Sequence, residues 1–266
     1  MGKYNLFIIT KDMETFNIKK KKLLKYTAKI NLIKWIPAEY IALTNENNHV
    51  INDLQTRYNT SEKRILGNLG NIAAHRKALL SIWNNKTNNN IILEQDFKFT
   101  HSLPEPPSKT CYLGGWIIPK KISDAGKIKV DLHLKRGLNK INYDKFGVIM
   151  THAIFYKTFG DAFKIFKKSF KKTKNWDIFL KNEQFISYFY YPEIFIQNNE
   201  SASEITHKKN KNDKYSINYG LPNILQGGGT IKKRTKRRKS DLRKRPRTLT
   251  SHRLSNKLNI FNLLTR

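Results

Sequence analysis

Cysteine is almost missing from this chain. Cys111 is the only one in 266 residues, so no disulfide can form within the chain and a scaffold built on bridges is excluded. Long apolar runs are missing as well: no window reaches the ~18 consecutive apolar residues that a membrane-spanning helix needs. The opening run Met1-Gly2-Lys3-Tyr4-Asn5-Leu6-Phe7-Ile8-Ile9-Thr10 is too short in apolar residues, and lacks the small-residue cleavage site, for a secretion signal. The expected setting is therefore the cytosol or another reducing compartment. No paired histidines stand at zinc-ligand spacing, and there is no zinc-finger pattern, RNP-type aromatic strand or P-loop. Acids are scarce too: 20 Asp plus Glu face 51 Lys plus Arg, a formal net charge of +31.

That charge is unevenly divided. Arginine is rare in residues 1–226, which hold only Arg57, Arg64, Arg76 and Arg136, whereas residues 227–266 hold eight. The last forty residues carry 14 Lys plus Arg against one acid, Asp241, and so +13 of the total. Two parts follow: a body, residues 1–226, large enough for one α/β domain with a real core, and a basic tail, residues 227–266. The body's lysines read as solvated surface. The tail begins at the flexible joint Gly227-Gly228-Gly229. Its runs Lys232-Lys233-Arg234, Lys236-Arg237-Arg238-Lys239 and Arg243-Lys244-Arg245-Pro246-Arg247 cannot bury a core, and disorder is expected. Such a tail suits nucleic acid, a nuclear address or an anionic membrane surface. Leu254, Leu258, Phe261 and Leu264 recur at helical spacing near its end, fit to lie on a membrane or on the body.

Within the body, residues 3–10 read as a buried first strand. A lysine-heavy helix with Leu23, Leu24 and Ala28 on one face follows, and then a second strand over residues 30–37. Ser61 suits the cap of a longer helix whose apolar stripe is Ile65, Leu69, Ile72, Leu79, Leu80 and Trp83. An Asn-rich turn then delivers Ile91-Ile92-Leu93 as a third strand. The β-α-β-α-β order predicts an α/β fold with a mostly parallel central sheet. Further on, three prolines make residues 103–109 a loop. Tyr112 to Ile118 reads as a strand broken at its glycine pair, and residues 146–150 and 153–156 as two strands. Phe159, Phe163, Phe166 and Phe170 mark a helix face that packs in the core, and residues 185–191 a last strand. Residues 198–219 are polar enough for an irregular surface excursion.

Chemistry concentrates at Glu94-Gln95-Asp96. Residues i and i+2 of a strand point the same way, so Glu94 and Asp96 are expected to converge while Gln95 turns away. The carboxyl ends of strands are where open α/β sheets build ligand crevices. Two carboxylates there suit a hard divalent cation, Mg²⁺ or Mn²⁺, able to grip a diphosphate.

The stretch Gly67-Asn68-Leu69-Gly70-Asn71-Ile72-Ala73-Ala74-His75, followed by Ile91-Ile92-Leu93-Glu94-Gln95-Asp96, resembles glycosyltransferase family 25. That family includes the lipopolysaccharide β-galactosyltransferases and the collagen hydroxylysine galactosyltransferases. Its pattern runs G-x-x-G, then S-H, a helix, and an apolar strand ending in E-D-D. Thr151-His152-Ala153-Ile154-Phe155-Tyr156 resembles its T-x-A-Y strand, and Asn175-Trp176-Asp177-Ile178-Phe179-Leu180 its P-V-D-x-x-L. Residues 192–197 with Ser203-Glu204-Ile205 resemble its closing P-x-(x)-x-Q and S-x-I. The resemblance spans most of residues 3–206. It departs from the pattern at Ala74, at Gln95, and at Thr10-Lys11-Asp12-Met13, where the family has N-L-x-x-R.

The resemblance implies a GT-A-like domain and metal-dependent transfer, with inversion, from a nucleotide diphosphate sugar to an acceptor hydroxyl. The donor would be a UDP-sugar, and the acceptor a glycan, protein or lipid. Glu94 and Asp96 would hold Mn²⁺ or Mg²⁺, with Thr10 and His75 beside the donor and His75 in a structural rather than catalytic part. Asp177 would be the general base, with Glu183 in reserve; the other reading of Asp177 is an acid placed for a helix N-terminus. Two rivals stand beside this: a nucleic-acid-binding protein without catalysis, carried by the charge, and a degenerate transferase fold that binds a partner.

Truncation after Gln226 should leave the melting temperature and any sugar transfer intact. It should abolish nucleic-acid binding whose affinity, for about six to ten phosphate contacts, falls roughly 10³–10⁵-fold between about 50 and 200 mM salt. A truncated body with the same affinity and salt slope would move that binding out of the tail.

Overall fold

The computed structural model describes residues 3–26, 29–44, 48–58, 61–119, 134–170 and 175–197. The basic tail, the polar excursion 198–219 and Ser203-Glu204-Ile205 lie outside the described residues. In chain order the elements are β1 (Tyr4–Thr10), α1 (Met13–Tyr26), β2 (Ile30–Pro37), α2 (Asn48–Tyr58), α3 (Glu62–Asn84), β3 (Asn90–Glu94), β4 (Phe97–Phe99) and β5 (Cys111–Pro119). They continue with β6 (Gly137–Lys140), β7 (Phe146–Tyr156), α4 (Phe159–Ser169), α5 (Trp176–Glu183), β8 (Tyr188–Tyr191) and β9 (Phe195–Gln197).

Seven strands form one sheet in the order β2-β1-β3-β7-β5-β8-β6, and β4 pairs with β9 in a separate two-stranded sheet. The fold is α/β, but the expectation of a mostly parallel sheet is corrected: the sheet is mixed. β1 runs parallel to β2 and to β3, and β5 parallel to β8, whereas β7 is antiparallel to both β3 and β5, and β6 to β8. The reason lies in the connections. Helices link β1 to β2 and β2 to β3, which holds those strands parallel. After β3, strand follows strand in the element order, and nothing constrains β7 to run with β3.

The sheet is buried on both faces. Phe7, Ile9, Ile92, Ile154 and Tyr156 pack beneath α3, α4 and α5 with Leu79, Ile82, Ile165, Phe179 and Leu180. On the other face Tyr4, Leu6, Ile8, Ile91, Leu93 and Phe155 pack with Phe16 and Leu23 of α1 and with Phe97 and Phe195 of the small sheet. Burial on both sides is why β1 and β3 read as continuous apolar runs rather than alternating ones. It also leaves Glu94, at the end of β3, as the one side chain of that strand that is not fully buried.

Several local expectations change. The two strand candidates over residues 146–156 are the single strand β7, and β5 is continuous through its glycine pair, although its register slips on both sides of Gly114. A Cβ at Gly114 would run into the Phe195 carbonyl and the His152 ring, so the glycine lets β9 cross close to the sheet. Leu80 is 38% exposed and leaves the α3 stripe. The phenylalanines of α4 pack on α3 rather than in the centre of the core. Phe163 stacks on Trp83 with ring centroids 3.9 Å apart, while Ala162, Ile165 and Ser169 of α4 are the buried residues. α2, β4, β6 and β9 have no counterpart in the sequence reading. Ser61 does cap α3, its hydroxyl accepting from the Arg64 amide. Among the described residues no helix is long and apolar enough to cross a membrane.

Gly70 shows how tightly α3 is seated: a Cβ there would strike the backbone carbonyl of Glu39, beyond β2. Gly70→Ala should therefore destabilise by about 1–3 kcal/mol through overpacking. Gly160→Ala, in the first turn of α4 with its nearest new contact at 3.6 Å, should be neutral or stabilise by up to about 1 kcal/mol. Thermal melts of the two variants test this; a Gly70→Ala melt as high as wild type would remove the close approach.

Candidate functional site

β3 places Ile92 and Glu94 toward α3. Glu94 is its last residue, and the chain turns through Gln95 and Asp96 into β4. Along α3, Asn68, Asn71 and His75 recur at three and four residues, so one polar stripe of that helix faces the strand end. Glu94 Oε1 accepts from Asn71 Nδ2 at 3.1 Å and lies 2.9 Å from His75 Nε2. Farther up the stripe, Asn68 Oδ1 accepts from Asn175 Nδ2 at 3.2 Å. Asn175 in turn caps α5 by accepting from the Asp177 amide. Trp176 of the same turn lies flat on the His75 ring, centroids 4.5 Å apart and planes inclined by 14°.

Asp177 is oriented from β7. Thr151 donates to its Oδ1 twice, from the hydroxyl at 2.5 Å and from the backbone amide at 3.2 Å. Asp96 is held from the small sheet, its Oδ2 accepting from Gln197 Nε2 at 2.6 Å. His152, next to Thr151 and buried, lies with Nε2 3.0 Å from the Phe195 carbonyl and ties β7 to β9. β3, the turn after it and α5 thus carry three acids, which α3, β7 and β9 hold in place.

The electrostatics follow from that crowding. Burial, then Asp96, then Asp177 push the Glu94 carboxyl well above the usual carboxylate range, to about 8. His75 moves the opposite way. Burial drives it down to about 3, against a smaller upward pull from Asp177. The ring is therefore neutral at physiological pH. Its Nε2 shares the 2.9 Å hydrogen bond with Glu94, so His75 orients that carboxyl without bringing a positive charge to it.

The sequence-derived residues fare differently. Asp96 and Asp177 are each brought within electrostatic reach of Glu94, and His75 lies directly under Glu94. Gln95 turns away as expected: its Oε1 accepts from the Lys11 amide at 3.3 Å and pins the first loop. The strand itself stops at Glu94, so it is the turn, not strand alternation, that brings Asp96 round. Thr10 ends β1 fully buried, and its hydroxyl donates to the Asp12 carbonyl at 2.9 Å, closing the first loop. Glu183 stands at the opposite end of α5 from Asp177, about 9 Å along the axis. Asn71, Thr151 and Gln197 were not singled out as site residues. The stripe of Asn68, Asn71 and His75 was the legible signal for Asn71; Gln197 lies 101 residues from Asp96, and no local pattern reports such a pairing.

The donor set fits a hard divalent cation. It consists of carboxylate oxygens, and Asp96 Oδ1 is buried without a hydrogen-bond partner. Among the described residues no group of three or more His, Cys, Asp or Glu is placed to hold a metal. A cavity of about 250 Å³ lined by Ile118, Tyr143, Phe146, Gly147 and Lys181 lies apart from the acids and contains none of them. No protein-family model matches the chain, and no curated protein matches it.

Glu94 makes stability depend on pH. Its folded-state pKa is raised, so its contribution is present below the unfolded value near 4.5 and is lost as pH rises toward 8. Glu94→Gln keeps an Oε1 to accept from Asn71 and His75 without the charge. In metal-free buffer it should melt several degrees above wild type at pH 8, with the gap closing near pH 5, at about 2–4 °C per kcal/mol. A variant melting below wild type at pH 8 would contradict the strained carboxylate.

Proposed function

We propose that the body is a metal-dependent glycosyltransferase domain of GT-A type, similar to family 25. It moves a sugar from a nucleotide diphosphate sugar, a UDP-sugar by its resemblance, to an acceptor hydroxyl with inversion. The observation that carries this reading is the meeting of Glu94, Asp96 and Asp177 at the carboxyl edge of the parallel β2-β1-β3 half, within a body of strongly positive charge. Acids grouped at the end of one strand, in a body otherwise rich in lysine, suit a site that takes a divalent cation.

Glu94 and Asp96 would hold Mn²⁺ or Mg²⁺, which when bound supplies positive charge against the leaving diphosphate. Asp177 would accept the proton of the attacking hydroxyl. Two hydrogen bonds from Thr151 fix its orientation, and fixed geometry is the first requirement of a general base. Gln95 at the family's middle acid leaves this arrangement whole, because its side chain holds the first loop instead.

Titration calorimetry with UDP-sugars should show binding that Mn²⁺ strengthens in wild type and does not strengthen in Asp96→Ala. Asp177→Asn should leave donor affinity nearly unchanged and lower turnover by about 10²–10⁴-fold. Metal-dependent affinity surviving in Asp96→Ala would sink the site. Loss of donor binding with turnover retained would make Asp177 a binding residue.

A further inference from the structure

Gln197 is the last described residue, and it stands opposite Phe97 in the β4–β9 pair. Its side chain therefore reaches back over the turn that carries Asp96. Nε2 donates to Asp96 Oδ2 at 2.6 Å. The remaining oxygen of each group, Asp96 Oδ1 and Gln197 Oε1, is sealed from solvent and has no hydrogen-bond partner. The amide cannot be turned to relieve this, since exchange of its ends would set two acceptor oxygens 2.6 Å apart. The nearby Lys19 acts on Asp96 through its charge but makes no hydrogen bond to Oδ1: it donates to the Phe97 carbonyl at 3.1 Å and lies over the Phe97 ring at 4.8 Å.

Two buried acceptors on one hydrogen-bonded pair, both lacking a donor, are costly unless something positive serves them. We infer that Gln197 belongs to the divalent-cation site, its Oε1 a neutral third oxygen ligand beside Asp96 Oδ1 and Glu94. This rests on the transferase reading and deepens it. Carboxylates supply only two ligands, and hard cations accept side-chain amide oxygens readily. The neutral ligand also has a functional consequence. Two carboxylates balance a 2+ ion, so a third would repel an incoming diphosphate, whereas an amide oxygen completes the site at no cost in charge. Gln197 carries both roles at once: its nitrogen orients Asp96 and its oxygen faces the ion.

The test is Mn²⁺ binding to the full chain without nucleotide, read by electron paramagnetic resonance, independently of turnover. The variants are Asp96→Ala, Gln197→Leu and Gln197→Glu. Gln197→Leu should weaken Mn²⁺ binding about tenfold or more, and Gln197→Glu, which restores an oxygen ligand, should bind Mn²⁺ at least as tightly as wild type. Melting in metal-free buffer reports whether each variant folds; where Gln197→Leu does not, Gln197→Asn, whose oxygen falls one carbon short, should show the same loss. Unchanged affinity in Gln197→Leu with binding lost in Asp96→Ala overturns the inference and leaves a two-carboxylate site standing. Gln197→Glu binding more weakly than Gln197→Leu also overturns it, reducing Gln197 to an amide donor for Asp96. No Mn²⁺ binding by wild type removes the cation site and the inference together.

Discussion

Holding Glu94, Asp96 and Asp177 near one another at a partly buried sheet edge opposes folding, and much of the architecture answers that demand. Each acid is met by neutral donors. Asn71 and a neutral His75 serve Glu94, Gln197 serves Asp96, and Thr151 serves Asp177. Neutral dipoles orient each acid without bringing a positive charge of their own. The price is borne by the two apolar layers that bury β1 and β3 on both faces.

α3 is the member that distributes these constraints. Within nine residues it meets the loop after β2 through Gly70, the end of β3 through Asn71 and His75, and the cap of α5 through Asn68. Arg76 anchors it to α4. Its Nε donates to the Ser169 hydroxyl at 3.1 Å and its Nη2 to the Ser169 carbonyl at 2.6 Å, and its guanidinium lies 4.5 Å from the Phe170 ring. A cation at that helix end complements the exposed carbonyls of its last turn. The glycine and polar pattern of residues 67–76 is thus a packing requirement as much as a chemical one.

How much of this could be read beforehand divides along sequence distance. Ser61, the apolar stripe of α3, β1, β2 and the strand ending at Glu94 are local patterns, and they appear where their periodicity puts them. The antiparallel return of β7 does not follow from such patterns, because strand direction is set by connections and not by composition. β4, β6 and β9 are three or four residues long, too short for alternation to show. The acids themselves were legible, as strand end and motif. Their partners were legible only where they shared a helix face, as Asn71 and His75 do. Thr151 and Gln197 come from strands far along the chain, and only the folded sheet brings them in.

The small sheet carries an implication for how the molecule comes into being. Asp96 lies early in the chain, yet its hydrogen-bonding partner and the strand that pairs with β4 arrive about a hundred residues later. A growing polypeptide can assemble β1, β2, β3 and α3 from near neighbours. The acidic edge, however, stays open until residue 197 has left the ribosome. Contacts of such separation are formed late, after the entropy of closing the intervening loop has been met. The chemistry is thereby coupled to completion: a shortened product that retains every acid would still lack the wall that shapes them.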